Sequence, residues 1–300
     1  LPVEVHEYIG GIGFQYWLLD ENPDNLERIA PVSLLKEYSR LIGNILNELN
    51  IKPKVLVDLS GLKDKLSYVR KVNGNIAIGA LTTPEDLAET FLHKDKKYLG
   101  FYDIYKKFAS PILKPLATIG GNISVAVSAS DYLTFLLTLN AKVKLVSVEG
   151  ERLVSLEELV VEKRTLAKDP NELIYEIIFP ELPENYSTAF MKIDRREVIT
   201  TGYITTAVCL KIEDNKIADV RIAFDRVNKR IPGRAKKTEE FLKDKEFSVD
   251  TIREAYNKVL PAEMVRKSDF RASGEYRLDL SKVLMKRALL QAKSRIVEGV

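Results

Sequence analysis

"PLATIGGNIS", residues 115–124, sets an apolar run against two adjacent glycines and a polar close. Two glycines there serve one of two ends. They make a tight turn between a strand and a helix, or they let backbone N–H groups approach a phosphate with no Cβ in the way. The pair alone does not choose, so the flanking sequence must.

Upstream, "GNIAIGALTT" (74–83) reads as a strand and "PEDLAETFLH" (84–93) as a helix with Pro84 in its first turn. "YDIYKKFAS" (102–110) is a helical stretch stopped by Pro111. Downstream, "SDYLTFLLTLN" (130–140) reads as a short buried helix capped by Ser130 or Asp131. "AKVKLVSVEGERLVSLEEL" (141–159) alternates and turns at Glu149-Gly150, a hairpin. "NELIYEIIFPELPENY" (171–186) is a strand that runs into a proline-rich crossing.

That crossing divides the chain. We expect an N-terminal subdomain over 1–50, a main subdomain over 51–183 and a C-terminal domain over 184–300. In the first, "LPVEVHEYI" alternates like a strand, and 33–50 has helical apolar spacing behind Ser33. In the last, "AFMKIDRREVITTGYITTAVCLKI" and "KIADVRIAFDRV" read as two long strands joined by "EDNK". Three amphipathic helices follow. The closing one has an apolar face of Leu280, Val283, Leu284, Ala288, Leu289, Ala292 and Ile296. The fold class is α+β.

Composition narrows the function. The 300 residues carry a net charge of +3, with Lys+Arg 46 against Asp+Glu 43, so no basic field favours nucleic acid. No apolar run approaches the roughly 18 residues of a membrane helix, and "LPVEVHEYIGG" has no signal-peptide pattern. A cytoplasmic protein without membrane insertion is the expectation. Abundant Lys and Glu with only two Gln (Gln15, Gln291) lean toward a thermophile. The single cysteine, Cys209, builds no disulfide, zinc-thiolate site or iron–sulfur cluster, and its apolar surroundings suggest a core thiol. His6 and His93 lie in no metal or triad pattern. Neither a catalytic nor a metal site is expected, and redox chemistry would need a bound organic cofactor.

The motifs together resemble the FAD-binding medium subunits of molybdenum hydroxylases, the flavoproteins of xanthine dehydrogenase and carbon monoxide dehydrogenase. "TIGGNI" with its capped helix is similar to their second flavin loop. "PKVLVDLSGL", "IAIGALTT", "NELIYEIIFP", "KIDRR" and "SDFRASGEYRLDLSKVLMKRAL" come in family order around it. The resemblance implies an FAD-binding PCMH-type domain in two α/β subdomains, followed by a C-terminal α+β domain. It implies electron relay from a partner's clusters to an acceptor. Gly120 and Gly121, with the backbone at Ile119, would approach the FAD pyrophosphate. Thr118, Asn122 and Ser124 would add polar contacts, and Asp131 would hold a ribose hydroxyl or cap its helix. Lys192 would stand near the isoalloxazine ring and favour its reduced, anionic form. The molybdenum cofactor and the 2Fe–2S clusters would sit on a large and a small partner subunit.

The first flavin loop departs from the family. Where the family carries two glycines, this chain has Pro31 and Val32. Proline donates no N–H, and a β-branched residue disfavours positive φ. "GGIGF" (10–14) comes some 20 residues too early to stand in and reads as a turn. Val127-Ser128 and Tyr175 also differ from the family pattern. Two readings follow, an active FAD subunit that relays electrons or a flavin-free or weakly binding scaffold of the same complex; a free-standing nucleotide- or flavin-binding module is a third.

Overall fold

The computed structural model describes residues 56–194, 202–226, 231–266 and 268–297, with the backbone of four short strands before them: Pro2–Glu4, Glu7–Ile9, Ile12–Phe14 and Tyr16–Leu19. The expected helix over 33–50 and the Pro31-Val32 stretch lie outside the described residues. The architecture is α+β, built on two antiparallel sheets.

The first sheet has five strands: β1 (Val69–Val72), β2 (Asn75–Gly79), β3 (Lys142–Ser147), β4 (Gly150–Ser155) and β5 (Leu173–Pro180). Their order is β1-β2-β5-β3-β4, antiparallel throughout. Central β5 is the most apolar and buries Ile174, Ile177 and Phe179. The edges, "VRKV" and "GERLVS", carry the charges that discourage further pairing. Register slips between Ile174 and Glu176 on the β3 side, while on the β2 side the ladder runs on by one residue, the Tyr175 carbonyl accepting from Ala80 N–H at 3.0 Å. The Ala80 carbonyl in turn accepts from Gly120 N–H at 2.8 Å, so the glycine segment hangs from the end of this sheet.

Four helices cover it: α1 (Pro84–Ala88), α2 (Gly100–Lys107), α3 (Ile119–Ser124) and α4 (Asp131–Thr138). α1 begins with a reciprocal Thr83/Asp86 capping box. α4 is buried along its whole length, because it lies between the two sheets.

The second sheet is a meander of β6 (Tyr186–Ile193), β7 (Ile204–Glu213), β8 (Lys216–Phe224) and β9 (Gly233–Arg234). The first expected long strand is therefore two strands, β6 and β7, paired antiparallel from Tyr186↔Lys211 to Ile193↔Ile204. The missed signal is Gly202. A Cβ there would come tight against the Asp194 side chain at 3.1 Å and the Lys192 Cγ at 3.2 Å, so glycine lets the chain pass close over Lys192. "EDNK" makes the β7–β8 hairpin as expected. Asp214 and Asn215 both take positive φ, 48° and 59°, which suits the twist of the flanking strands.

Both faces of the second sheet are covered. Phe190, Ala207, Cys209 and Ala223 join the first sheet's core. Ala189, Val208, Leu210, Ile222 and Phe224 join a second core built on α5 (Lys236–Leu242), α6 (Val249–Lys258) and α7 (Gly274–Val297). Alternation puts successive β7 side chains into different cores, so its sequence reads as an unbroken apolar run.

Candidate functional site

α3 is a short helix that opens on a side-chain cap. Thr118 is the N-cap, in extended backbone, and its Oγ1 accepts from Gly121 N–H at 3.0 Å. Ile119 N–H donates to the Thr82 carbonyl at 2.9 Å, and Gly120 N–H to Ala80. The expected loop is thus the first turn of a helix, and the N–H groups of residues 119 to 121 all donate within the chain. The Asn122 side chain also turns inward: its Oδ1 accepts from Leu133 N–H at 3.3 Å and ties α3 to α4. Thr118 and Asn122 therefore also shape the segment.

The polar atoms that remain lie just beyond. Ser124 Oγ, Ser130 Oγ and Asp131 Oδ1 are buried and have no hydrogen-bond partner among the described residues. Ser130 is the N-cap of α4 by position, yet its side chain makes no capping bond. Leaving such atoms unpaired in the interior is costly, and all three keep capacity for a further polar partner.

Asp131 makes neither the capping bond nor a solvent contact. Its Oδ2 accepts from Lys192 Nζ at 2.8 Å, and the side chains are 2% and 6% exposed. Lys192 is also 4.0 Å from Asp194. Burial works against the Lys192 charge, but Asp131, Asp194 and Asp225 outweigh it and hold the ammonium above the ordinary lysine range. Burial pushes the Asp131 carboxyl up, and Lys192 pulls it back.

Lys192 belongs to a polar row across the second sheet. It stands opposite Thr205 on β7. Asp225, one residue past β8, continues the row: its N–H donates to the Thr205 carbonyl at 3.4 Å, and its Oδ1 accepts from Thr205 N–H at 3.3 Å. Lys192 and Thr205 share the face of Phe190 and Ala207, the one turned toward α4 and Asp131. Asp225 is buried, and burial drives its carboxyl up to about 7. Sequence reading missed Thr205 and Asp225. Their signal is the two-residue step from the apolar positions Ala207 and Ala223.

Other candidates recede. Cys209 is buried, and burial pushes its thiol up to about 11, so it is inert. His93 lies between the rings of Tyr102 and Tyr105, and burial with Lys114 nearby lowers it to about 4. Among the described residues no cluster of His, Cys, Asp or Glu is suited to a metal, and no helix is long and apolar enough to cross a membrane. "GGIGF" is partly a strand: Ile12–Phe14 pairs with Glu7–Ile9, and its backbone runs close beside α3.

Residues 39–182 match the FAD binding domain of molybdopterin dehydrogenases, and residues 188–292 match the C-terminal domain of the CO dehydrogenase flavoprotein. The glyceraldehyde dehydrogenase medium chain of Sulfolobus acidocaldarius is 29% identical over 79% of this chain and 83% of its own length. The xanthine dehydrogenase FAD-binding subunit of Escherichia coli O157:H7 is 24% identical over 81% and 82%. Among solved structures, cyanide-inactivated Cu,Mo-CO dehydrogenase superposes with a TM-score of 0.78 at 26% identity, over 85% of this chain and 87% of the other.

Proposed function

The chain belongs to the FAD-binding medium subunits of the molybdenum hydroxylase family, and on that premise we propose that it holds its flavin between the α3 segment and the polar row of the second sheet. The observation that carries this is the trio of buried, unpartnered polar atoms on Ser124, Ser130 and Asp131, with the Lys192 ammonium 2.8 Å from Asp131. These residues fit FAD: hydroxyls and a carboxylate suit ribityl and ribose hydroxyls, and a cation suits a ring that gains negative charge. FAD supplies a carrier that takes up and releases electron pairs.

The chain's own part is binding and electrostatics. Gly120 and Gly121 leave the α3 surface without side chains. The Asp131–Lys192 pair ties the first sheet's helices to the second sheet across the site. Buried among three carboxylates, Lys192 keeps its proton and acts as a fixed positive charge.

Binding is weak in this reading. The N–H groups at 119 to 121 already donate within the chain, and Pro31 has no N–H to give. Each missing hydrogen bond to a charged phosphate is worth roughly 1.5–3 kcal/mol. A large molybdenum-cofactor subunit and a small iron–sulfur subunit complete the assembly, which we place in the cytoplasm. The chain relays electrons from the clusters to an acceptor.

The test is the flavin-to-protein ratio of the purified chain after extensive dialysis, followed by titration with FAD. We expect a ratio well below one that rises to one on titration. No uptake at any FAD concentration would leave the scaffold reading in its place.

A further inference from the structure

One member of the polar row has no part in holding the flavin. Asp225 is 2% exposed. Its Oδ1 accepts from Thr205 N–H, and its Oδ2 has a long contact, 3.6 Å, with Arg226 Nε. Arg226 Nε, Thr205 Oγ1 and Asp131 Oδ1 have no hydrogen-bond partner among the described residues. A buried carboxyl with capacity to spare thus lies beside a hydroxyl, a guanidinium and a second carboxylate.

Charge balance decides which form of Asp225 the site accepts. Asp131 faces it from α4, Lys192 from β6 and Arg277 from α7, while Arg226 is its neighbour in the chain. Asp194 lies beside Lys192, and Asp269 lies 3.7 Å from Arg226 and pairs with Arg277. Among the described residues that is three cations (Lys192, Arg226, Arg277) against three carboxylates (Asp131, Asp194, Asp269). Counted over these described groups, the cluster is neutral when Asp225 is protonated and carries one net negative charge when it is ionised. An interior of low dielectric favours the neutral arrangement, and burial holds the Asp225 carboxyl near 7.

We propose that Asp225 is a positioning residue that keeps an exchangeable proton beside Lys192 and binds it more tightly when the flavin of this site is reduced. The proposal rests on the flavin reading above. Two-electron reduction of a bound flavin, by a partner's reduced iron–sulfur cluster or by dithionite in vitro, would draw one proton from solvent and leave one added negative charge at the site. That charge favours the protonated form of the neighbouring carboxyl, so an ionised Asp225 takes one further proton from solvent on a carboxylate oxygen. Reoxidation returns both protons and both electrons. Lys192 and Asp131 keep their protonation states throughout.

The experiment is a dye-equilibrated dithionite titration of the FAD-loaded full chain across the neutral pH range, with Asp225→Asn beside the wild type. The wild-type midpoint potential should fall with the slope of one proton per two electrons on the acid side. Near neutrality the slope should steepen to two protons per two electrons. Asp225→Asn should keep the one-proton slope throughout. Arg226→Met removes a cation facing Asp225, so its break should move to higher pH. Infrared titration of the flavin-free chain gives a second readout: a protonated-carboxyl band that disappears through neutrality in the wild type and is missing in Asp225→Asn. Equal slopes in the loaded wild type and Asp225→Asn overturn the coupling alone. Failure of the wild type to take up FAD overturns the flavin reading and the coupling with it.

Discussion

Gly121 is buried in α3, where its N–H donates to the Thr118 hydroxyl and its carbonyl accepts from Val125 N–H. Gly121→Val adds a branched side chain where the flavin reading needs none, while valine is a better helix former than glycine. We expect the variant to lose FAD retention and keep its far-UV circular dichroism; a full flavin spectrum at wild-type stoichiometry would refute the placement. Asp225 makes a second prediction at this scale. Its carboxyl stands near 7 folded, against the ordinary carboxylate value unfolded, so between those values the folded state binds more protons. The contribution is therefore complete below the unfolded value and is lost as pH rises through 7. His93 runs the other way: lowered to about 4, it adds stability that is lost as pH falls through that range. The two oppose each other in the wild-type curve, and only a difference separates them. Asp225→Asn should gain on the wild type from acid to neutral pH, by about 4 kcal/mol over roughly three pKa units, read from urea midpoints. At this scale the sequence disclosed Asp131 and Lys192 one at a time. Their pairing, 61 residues apart, depends on how α4 lies on the second sheet, and nothing local encodes that.

Elements were legible where period and turn chemistry agree. The β3–β4 hairpin at Glu149-Gly150, the Asp214-Asn215 turn and the long closing helix all stand where alternation, positive-φ residues and 3.6-residue spacing put them. Two elements were misread for identifiable reasons. The β6–β7 pair looked like one strand because both halves alternate, and Gly202, where the chain passes close over Lys192, is a weak local signal. α3 looked like a loop because glycines lower helix propensity, whereas here a Thr118 cap and two bonds from the end of the first sheet impose the turn. The closing helix offers a graded test. Leu289, on its expected apolar face, is fully buried, and Leu289→Ala should cost about 2–5 kcal/mol. Val283 was placed on the same face but is 41% exposed, because α7 presents Met285 to the core instead. Val283→Ser should therefore shift stability by no more than about 0.5 kcal/mol. Thermal melts of the two variants check both values. Equal losses would mean that the apolar stripe lies where its spacing alone puts it.

Over the whole chain, the second sheet is gripped between two cores, and the grip includes a buried ion pair that no sequence pattern announces. Arg295, near the end of α7, makes two 2.8 Å bonds to the Asp103 carboxylate on α2, from residues 192 positions apart. The same guanidinium donates to the Thr188 carbonyl on β6, and Asp103 accepts from Phe190 N–H. The first sheet's helices, the second sheet and the last helix thus meet at one charge pair. Desolvating two charges offsets most of their attraction, so the pair adds little net stability, but removing one partner strands the other in the interior. Asp103→Ala should therefore cost about 3–5 kcal/mol, and Arg295→Met a similar amount. The double variant Asp103→Leu/Arg295→Met should recover most of that loss, because neither charge is left alone. Recovery stays incomplete, since Phe190 N–H and the Thr188 carbonyl lose partners that leucine and methionine do not replace. Urea midpoints of the three variants decide it. If the two single losses simply add in the double, the residues contribute through separate contacts, and the two sheets are held together by their apolar faces alone.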